Sequence, residues 1–468
     1  MAMLFDLLER YMNIQRPELG VPNGLKIVCL DLQGSEDYCT VDLPMTPDHP
    51  LYPRLTALGG CPEQYPLEIY RPLVFTGGLP NLLYKQPNVV KPFTICLQDL
   101  TVEDWRVFLS DLTPAQSRLH DAVLREAQAR PNWSEITLDD LYVIAQTLMS
   151  NRRMSFSRNI KGMKNAEPIP LASYTYSSRE AAGLLQHYEK LMDLSVIMPE
   201  QWNGKLVETN LNMRSILEKE VTWEIGKKER SLWPISVFLL PDVANVPFLN
   251  YAIANYVLTR LFWMKAVNNA ARTIVPVSLA LLEATRFAPR LVIDKSQRQY
   301  IEPVRSTVLK IAQQGSAFGI HLSTDTSSPM DVHEGLLDTI EEMKIFDLGS
   351  DMAYMLQNLL RGHYLDNYGE ITDENSRLLT SLRDLETYLH IGIGSVRGEL
   401  GRGAICGVWY PRVAQLQASF YELHKEYGKL GDWTDIRDLY AMVKTINTDS
   451  QKRAADTMRD QLSNAVMH

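Results

Sequence analysis

Apolar and polar positions along the chain fall into two regimes. Near the N-terminus, Leu4, Leu7, Leu8 and Tyr11 share one face, which predicts a helix over residues 4–13. "GLKIVCLDLQG" then reads as a buried strand, Leu25–Leu30, ending at Asp31 and Gly34. Residues 41–90 are rich in Pro and Gly and read as irregular connections with short strands, and "KPFTICLQDL" as another short strand. From 101 to about 230 the period is helical. Thr113-Pro114-Ala115-Gln116 is a helix start with Thr as N-cap, Pro in the first turn and Gln closing a capping box. Thr137 precedes a second helix through Met149, and Ser177 or Ser178 a third, Arg179–Leu194.

Beyond residue 231, strand-like and helix-like segments alternate. "WPISVFLL" reads as a strand and Val246–Asn268 as a long apolar helix. "RLVIDK" follows as a strand and Ile301–Gln314 as a helix. "FGIHLSTD" is read as a strand, Asp331–Met343 as a helix and "KIFDL" as a short strand. Helices through Leu360 and over Glu374–Thr387, a Gly-rich "HIGIGSVRGELGRG", the strand "AICGVWY" and a polar helical tail from Thr434 complete the chain. Alternation of this kind predicts an α/β fold, a parallel sheet flanked by helices, interrupted by a helical insertion.

Composition narrows the picture. The chain has 468 residues, 45% hydrophobic and 22% charged, ordinary values for a globular protein with a large core. No run of ~18 uncharged apolar residues indicates a membrane span. "MAMLFDLLERYMN" lacks the basic start of a signal peptide, so a cytoplasmic location is expected. The five cysteines form no C-x-x-C, and the nine histidines show no metal-ligand spacing. A net charge of −9 argues against a surface that coats nucleic acid generally. One stretch runs the other way. "NRRMSFSRNIKGMK" carries Arg152, Arg153, Arg158, Lys161 and Lys164, a candidate nucleic-acid or partner contact whose plainer reading is a solvated loop.

The order of these segments resembles the HerA branch of the HerA/FtsK superfamily, RecA-like hexameric DNA-pumping ATPases. "LKIVCLDLQGSEDY" stands where that family has a strand ending in Asp-x-x-Gly-Glu-Tyr. "LQDLTVEDWRVFLSDLTPAQSRL" resembles the entry to its helical insertion, and "LWPISVFLLPDV" the strand after it. "LVIDKSQ" is placed on its Walker B strand. "VLKIAQQGSAFGIHLSTDTSSP" is placed on its helix–Gly–strand–sensor segment, "KIFDLGSDMAYMLQNLL" on the strand and helix after that, and "LGRGAICGVW" on its closing strand.

The resemblance implies a RecA-like P-loop-type core over residues 1–100 and 231–432, a helical insertion over 101–230, and a C-terminal helical tail over 433–468. It implies Asp31 and Asp294 beside nucleotide, Asp294 on Mg²⁺ if nucleotide binds, and Asp294, Lys295 and Asp325 at the catalytic positions. The departures fall on the chemistry. No Gly-x-x-x-x-Gly-Lys-Ser/Thr occurs, so the amides and lysine that cradle phosphates are not encoded. "MLFDLLERYM" resembles the helix that follows such a loop, as though the chain starts just past the cradle. The glutamate that orients the attacking water in the family is expected at Lys295, and an ammonium accepts no hydrogen bond. Gln313 and Ser316 stand at the trans-acting arginine positions and Ala317 at the lysine; the sensor strand ends in Thr324-Asp325 rather than Thr-Gln. A pairing of Lys295 with Asp325 would fill the old site.

The expectation is therefore a HerA-like homologue with impaired catalysis and weak or absent binding of ATP and Mg²⁺. It would serve as a ring or regulatory subunit, in a homo- or hetero-oligomer with DNA, a nuclease or an active ATPase as partner. An active translocase whose P-loop lies outside this chain, and a protein-binding scaffold without enzymatic activity, are the alternatives.

Overall fold

The computed structural model describes residues 25–32, 47, 52–57, 66–73, 90–110, 112–150, 154–158, 169–174, 178–225, 228–240, 249–268, 275–340, 342–345, 387–392, 404–407 and 434–466. In chain order the elements used below are β1 (Lys26–Asp31), β2 (Leu67–Pro72), β3 (Val90–Phe93), α1 (Val102–Phe108), α2 (Pro114–Gln128) and α3 (Leu138–Ser150). Then come β4 (Met154–Arg158), β5 (Ile169–Tyr174), α4 (Ser178–Leu194), β6 (Ile235–Leu239), α5 (Leu249–Asn268), β7 (Val277–Leu282), α6 (Lys295–Gln314), β8 (Ile320–Thr324) and α7 (Thr434–Val466). Among the described residues six strands make one sheet in the order β8-β7-β1-β6-β2-β3. The chain divides into two compact units, residues 1–69 with 213–427 and residues 70–212 with 428–468.

In the first unit β1 lies parallel between β6 and β7, and β7 parallel to β8. All six residues of β1 and all six of β7 are buried. A parallel strand covered on both faces reads as a near-continuous apolar run, and "KIVCLD" and "VSLALL" fit that rule. α5 is buried on most of its circumference, from Leu249 and Ile253 to Tyr256 and Leu261. α6 instead buries one stripe, Ile301, Val304, Val308 and Ile311, at helical spacing, and Thr307 Oγ1 donates to Asn255 Oδ1 of α5 at 2.9 Å. Lys26, wholly buried on β1, donates from Nζ to the Pro234 carbonyl and to Ser236 Oγ at 2.9 Å. Burial lowers its pKa to about 7; the charge of Glu68 raises it and that of Lys219 lowers it further.

The second unit contains α1, α2, α3 and α4 together with α7. The box at Thr113–Gln116 forms as its sequence suggests, and Thr101–Asp104 makes another at the start of α1. α2, α3 and α4 pack on one another, with His120 Nδ1 and Tyr188 Oη 2.6 Å apart in the core between α2 and α4. Burial drives the His120 pKa down to about 3, so its ring is neutral. Val443 and Ile446 of α7 join Leu73, Met198 and Val207 in a second apolar cluster.

The structure corrects several expectations. Leu291–Asp294 is not a strand; Leu291 is 77% and Ile293 94% exposed, and the chain there is irregular up to α6. The strand between β1 and β8 is β7, which the sequence pattern did not single out. α6 begins at Lys295, six residues before its expected start. The helix expected over Asp331–Met343 is one turn, Glu334–Leu337, followed by a strand, Glu342–Ile345. The basic stretch after α3 contains β4, which pairs antiparallel with β5 as a hairpin and carries Arg158 as its last residue. Arg152, Arg153, Lys161 and Lys164 lie outside the described residues, as do the helices expected over 4–13 and through Leu360 and the glycines beyond 392; of the helix expected over Glu374–Thr387 only Thr387 is described, and it begins a strand, Thr387–Gly392. Among the described residues no helix is long and apolar enough to cross a membrane.

Candidate functional site

Parallel neighbours bring their C-terminal ends to one edge of a sheet, where α/β proteins place their ligands. In the first unit three strands deliver carboxylates there. β1 ends in Asp31, only 1% exposed, whose carbonyl accepts from Leu240 N at 2.8 Å. Its register partner on β7 is Leu282, and the next residue is Glu283. Leu281 is in register with Thr324 of β8, and Asp325 follows. Asp31, Leu282 and Asp325 are therefore level across β1, β7 and β8, and Glu283 stands one residue beyond that row.

Glu283 has φ 62° and ψ 83°, a left-handed conformation that is costly for a residue with a Cβ. Asp325 holds it there. The Glu283 amide donates to Asp325 Oδ1 at 2.7 Å, and the Ala284 amide to the Asp325 carbonyl at 2.7 Å. The Glu283 carboxylate is fixed in turn by hydroxyls. Oε1 accepts from Thr285 Oγ1 at 2.7 Å and Thr326 Oγ1 at 2.9 Å, and Ser327 Oγ approaches Oε2 at 3.5 Å. Thr324 Oγ1 donates to the Leu281 carbonyl at 2.8 Å and so ties the end of β8 to β7. The side chain of Glu283 is half-buried, and Oε2 is the less encumbered of its oxygens. Such a carboxylate can accept a hydrogen bond from a water and orient it. Leu282, buried just before it, can ligate nothing.

The expected site residues divide accordingly. Asp31 and Asp325 are at the strand ends, beside the Glu283 that sequence reasoning missed. Asp294 is not on the sheet. It is exposed, and its carbonyl accepts from Gln297 N and Arg298 N at 3.2 Å each as α6 starts. Lys295 is the first residue of that helix. Gln313 and Ser316 are exposed at the end of α6 and in the single turn Gly315–Phe318 that leads into β8. Gly319 (φ 70°) supplies the left-handed step into that strand. The missed signal is legible afterwards: six residues without a charge, Val277–Leu282, between Pro276 and Glu283. Among the described residues no three of His, Cys, Asp and Glu are grouped to share a metal ion.

Neither a protein-family model nor a curated protein matches the chain. Among solved structures it is similar to the genome packaging NTPase B204 from Sulfolobus turreted icosahedral virus 2. The form in complex with ATP-gammaS aligns at 10% identity over 42% of this chain and 70% of that one, with a TM-score of 0.25. The form in complex with AMPPCP aligns at 13% identity over the same shares, with a TM-score of 0.24.

Proposed function

We propose that the chain is a HerA/FtsK-type, RecA-like NTPase subunit of a DNA-translocating assembly whose hydrolytic site is reduced. It keeps a water-orienting carboxylate, Glu283, and lacks the metal-binding acid before it. The end of β7 carries this reading. In the family that the segment order resembles, the Walker B strand ends in an acid for Mg²⁺ followed by the glutamate for water; β7 ends in Leu282-Glu283. Leu282 leaves Mg²⁺ without its strand-borne ligand, and neutral Gln313 and Ser316 offer no charge to a neighbour's γ-phosphate. Phosphoryl transfer depends on positioning and charge stabilisation, so each loss slows it by orders of magnitude.

In this reading the chain works in a ring, homomeric or shared with an active ATPase or a nuclease. The ring keeps its size with and without ATP, because no arginine–phosphate contact holds it. The basic stretch Arg152–Lys164 contacts DNA or a partner protein. A protein-only scaffold would show no binding of duplex DNA; a DNA-engaging subunit binds with an affinity that falls steeply with salt.

The support that Asp325, Thr285 and Thr326 give to Glu283 favours a second reading, a working translocase whose phosphate cradle lies outside this chain. Phosphate release from ATP with Mg²⁺ separates the two. The reduced site gives background turnover that Glu283→Gln leaves unchanged. Turnover above about 1 s⁻¹, in the ordinary enzyme range, and lost in Glu283→Gln, establishes the second reading and ends the first.

A further inference from the structure

The second unit contains a hydrogen-bond chain with one proton too few. Thr137 is the N-cap of α3, and its hydroxyl is 2.9 Å from Asp140 Oδ2. Its backbone amide donates to the same oxygen at 2.9 Å, and the Asp140 amide returns to Thr137 Oγ1 at 3.3 Å. The box at Thr101 and Asp104 has the same form, with the hydroxyl donating to the box carboxylate at 2.6 Å. From α7, buried Ser450 brings its Oγ to 2.6 Å from Thr137 Oγ1 and 2.7 Å from Asp139 Oδ2. Three close oxygen–oxygen contacts thus join Asp140, Thr137, Ser450 and Asp139. The two hydroxyls supply two hydrogens. With both carboxylates ionised, one contact would set lone pair against lone pair.

We propose that Asp139 carries a proton in the folded protein and that this proton completes the chain fastening α7 to α3. The direction is then unique: Asp139 donates to Ser450, Ser450 to Thr137, and Thr137 to ionised Asp140. Asp140 is the carboxylate that stays charged, because it also takes the Thr137 amide and is paired with the Arg453 guanidinium of α7. Asp139 has no such cation of its own.

The surroundings agree. Burial raises the Asp139 pKa above the usual carboxylate value; the Ser450 hydrogen bond works against this, the Asp140 charge adds to it, and Asp139's own backbone and Arg453 oppose it. Asp140 and Arg453 are the charged groups that face it from α3 and α7. The Met192 and Ser195 that α4 and its end contribute, and Ile197 and Met198 beyond, bring none. A small cavity lined by Asp139, Ser195, Asn447 and Gln451 adjoins the carboxyl and gives the proton a way out.

A carboxyl whose folded pKa is raised contributes stability that is complete below its unfolded value and is lost as pH rises through the folded one. α7 is therefore fastened under acid conditions and loosened as pH rises. Arg453 over the Trp202 ring at 4.9 Å, and the Val443 and Ile446 contacts, keep it near.

The test uses the full chain. Hydrogen exchange of the α7 amides around Ser450–Arg453, corrected for intrinsic pH dependence, is followed through the acid-to-neutral range. The wild type should lose protection roughly tenfold, the factor that goes with one buried hydrogen bond left unmade. Asp139→Asn, whose amide donates as the protonated acid does, should hold its protection level across the same range. Infrared spectroscopy of the wild type should show a protonated carboxyl C=O band that Asp139→Asn removes. Equal pH profiles for wild type and Asp139→Asn, or a wild type without that band at every pH where it is folded, overturns the proposal. All the groups lie in the second unit, so neither outcome depends on the nucleotide site.

Discussion

Two stretches of the first unit, a few residues apart, each place an acid after an apolar run. Val277–Leu282 with Glu283 is a buried strand that feeds the sheet edge, whereas Leu291–Ile293 with Asp294 is an exposed lead into α6. By local pattern alone Leu291–Asp294 is the better strand end, since it has Val and Ile together and an aspartate where a metal-binding acid belongs. The difference lies in length and in partners. Six uncharged residues can span a sheet between β1 and β8; three residues between Arg290 and the Asp294-Lys295 pair cannot. An apolar run is buried when other strands pair with both its sides, and those partners are some 250 and some 40 residues away in sequence.

The largest test of this contrast is a charge in each run. Leu281 is wholly buried, in register with Leu30 and Thr324. Leu281→Asp should cost more than about 4 kcal/mol and leave little folded protein, because a carboxylate there has no partner. Ile293→Asp should stay within about 0.5 kcal/mol of wild type. Urea titrations read both, and comparable losses would mean that Leu291–Ile293 is covered after all.

The other end of the same sheet gives a pH test. Lys26 has a folded pKa near 7 against an ordinary 10.5, so between those values the unfolded chain holds a proton that the folded chain does not. Its contribution to stability must then rise with pH across that window, by at most about 1.4 kcal/mol per unit. Lys26→Met removes the titration. The stability of wild type relative to Lys26→Met should climb from pH 7 towards pH 10; a flat difference would mean that the amine stays charged in the core.

At the sheet edge the effects are smaller and of opposite sign. Asp325→Ala removes the acceptor of the Glu283 amide and should cost about 1–3 kcal/mol. Glu283→Gly relieves a left-handed glutamate, a strain of about 1–3 kcal/mol, and gives up two hydroxyl contacts. It should melt at or above the wild-type temperature. A clear destabilisation by Glu283→Gly would mean that the carboxylate serves the fold rather than the site.

What the sequence discloses here follows the range of the interactions. The Thr113–Gln116 box, β1 up to Asp31 and the apolar α5 are legible because their causes lie within a few residues or in a continuous apolar run. The parallel α/β class follows from the alternation of such segments. β7 is hard to read because Ser278 and Ala280 dilute its apolar character, while "LVID" offers a familiar ending. Glu283 owes its backbone to Asp325, 42 residues on, and Ser450 reaches Asp139 across 311 residues. No local pattern encodes either contact.

The smallest expected effect is a null one, and it bears on the proposed function directly. A ligand stabilises a protein by RT ln(1 + [L]/Kd), about 2.7 kcal/mol when present at a hundred times its dissociation constant. An ATP site of ordinary strength would therefore raise the melting temperature by several degrees at millimolar ATP with Mg²⁺. In the proposed reading Leu282 stands in place of a metal ligand and the sequence carries no Gly-Lys-Ser/Thr cradle, so the shift expected from that proposal is within error. Glu283→Gln and Asp294→Ala should leave that null result unchanged. A shift of several degrees in wild type that disappears in Glu283→Gln would show that the end of β7 binds nucleotide by another route. The same shift lost only in Asp294→Ala would return the site to the segment the structure leaves outside the sheet.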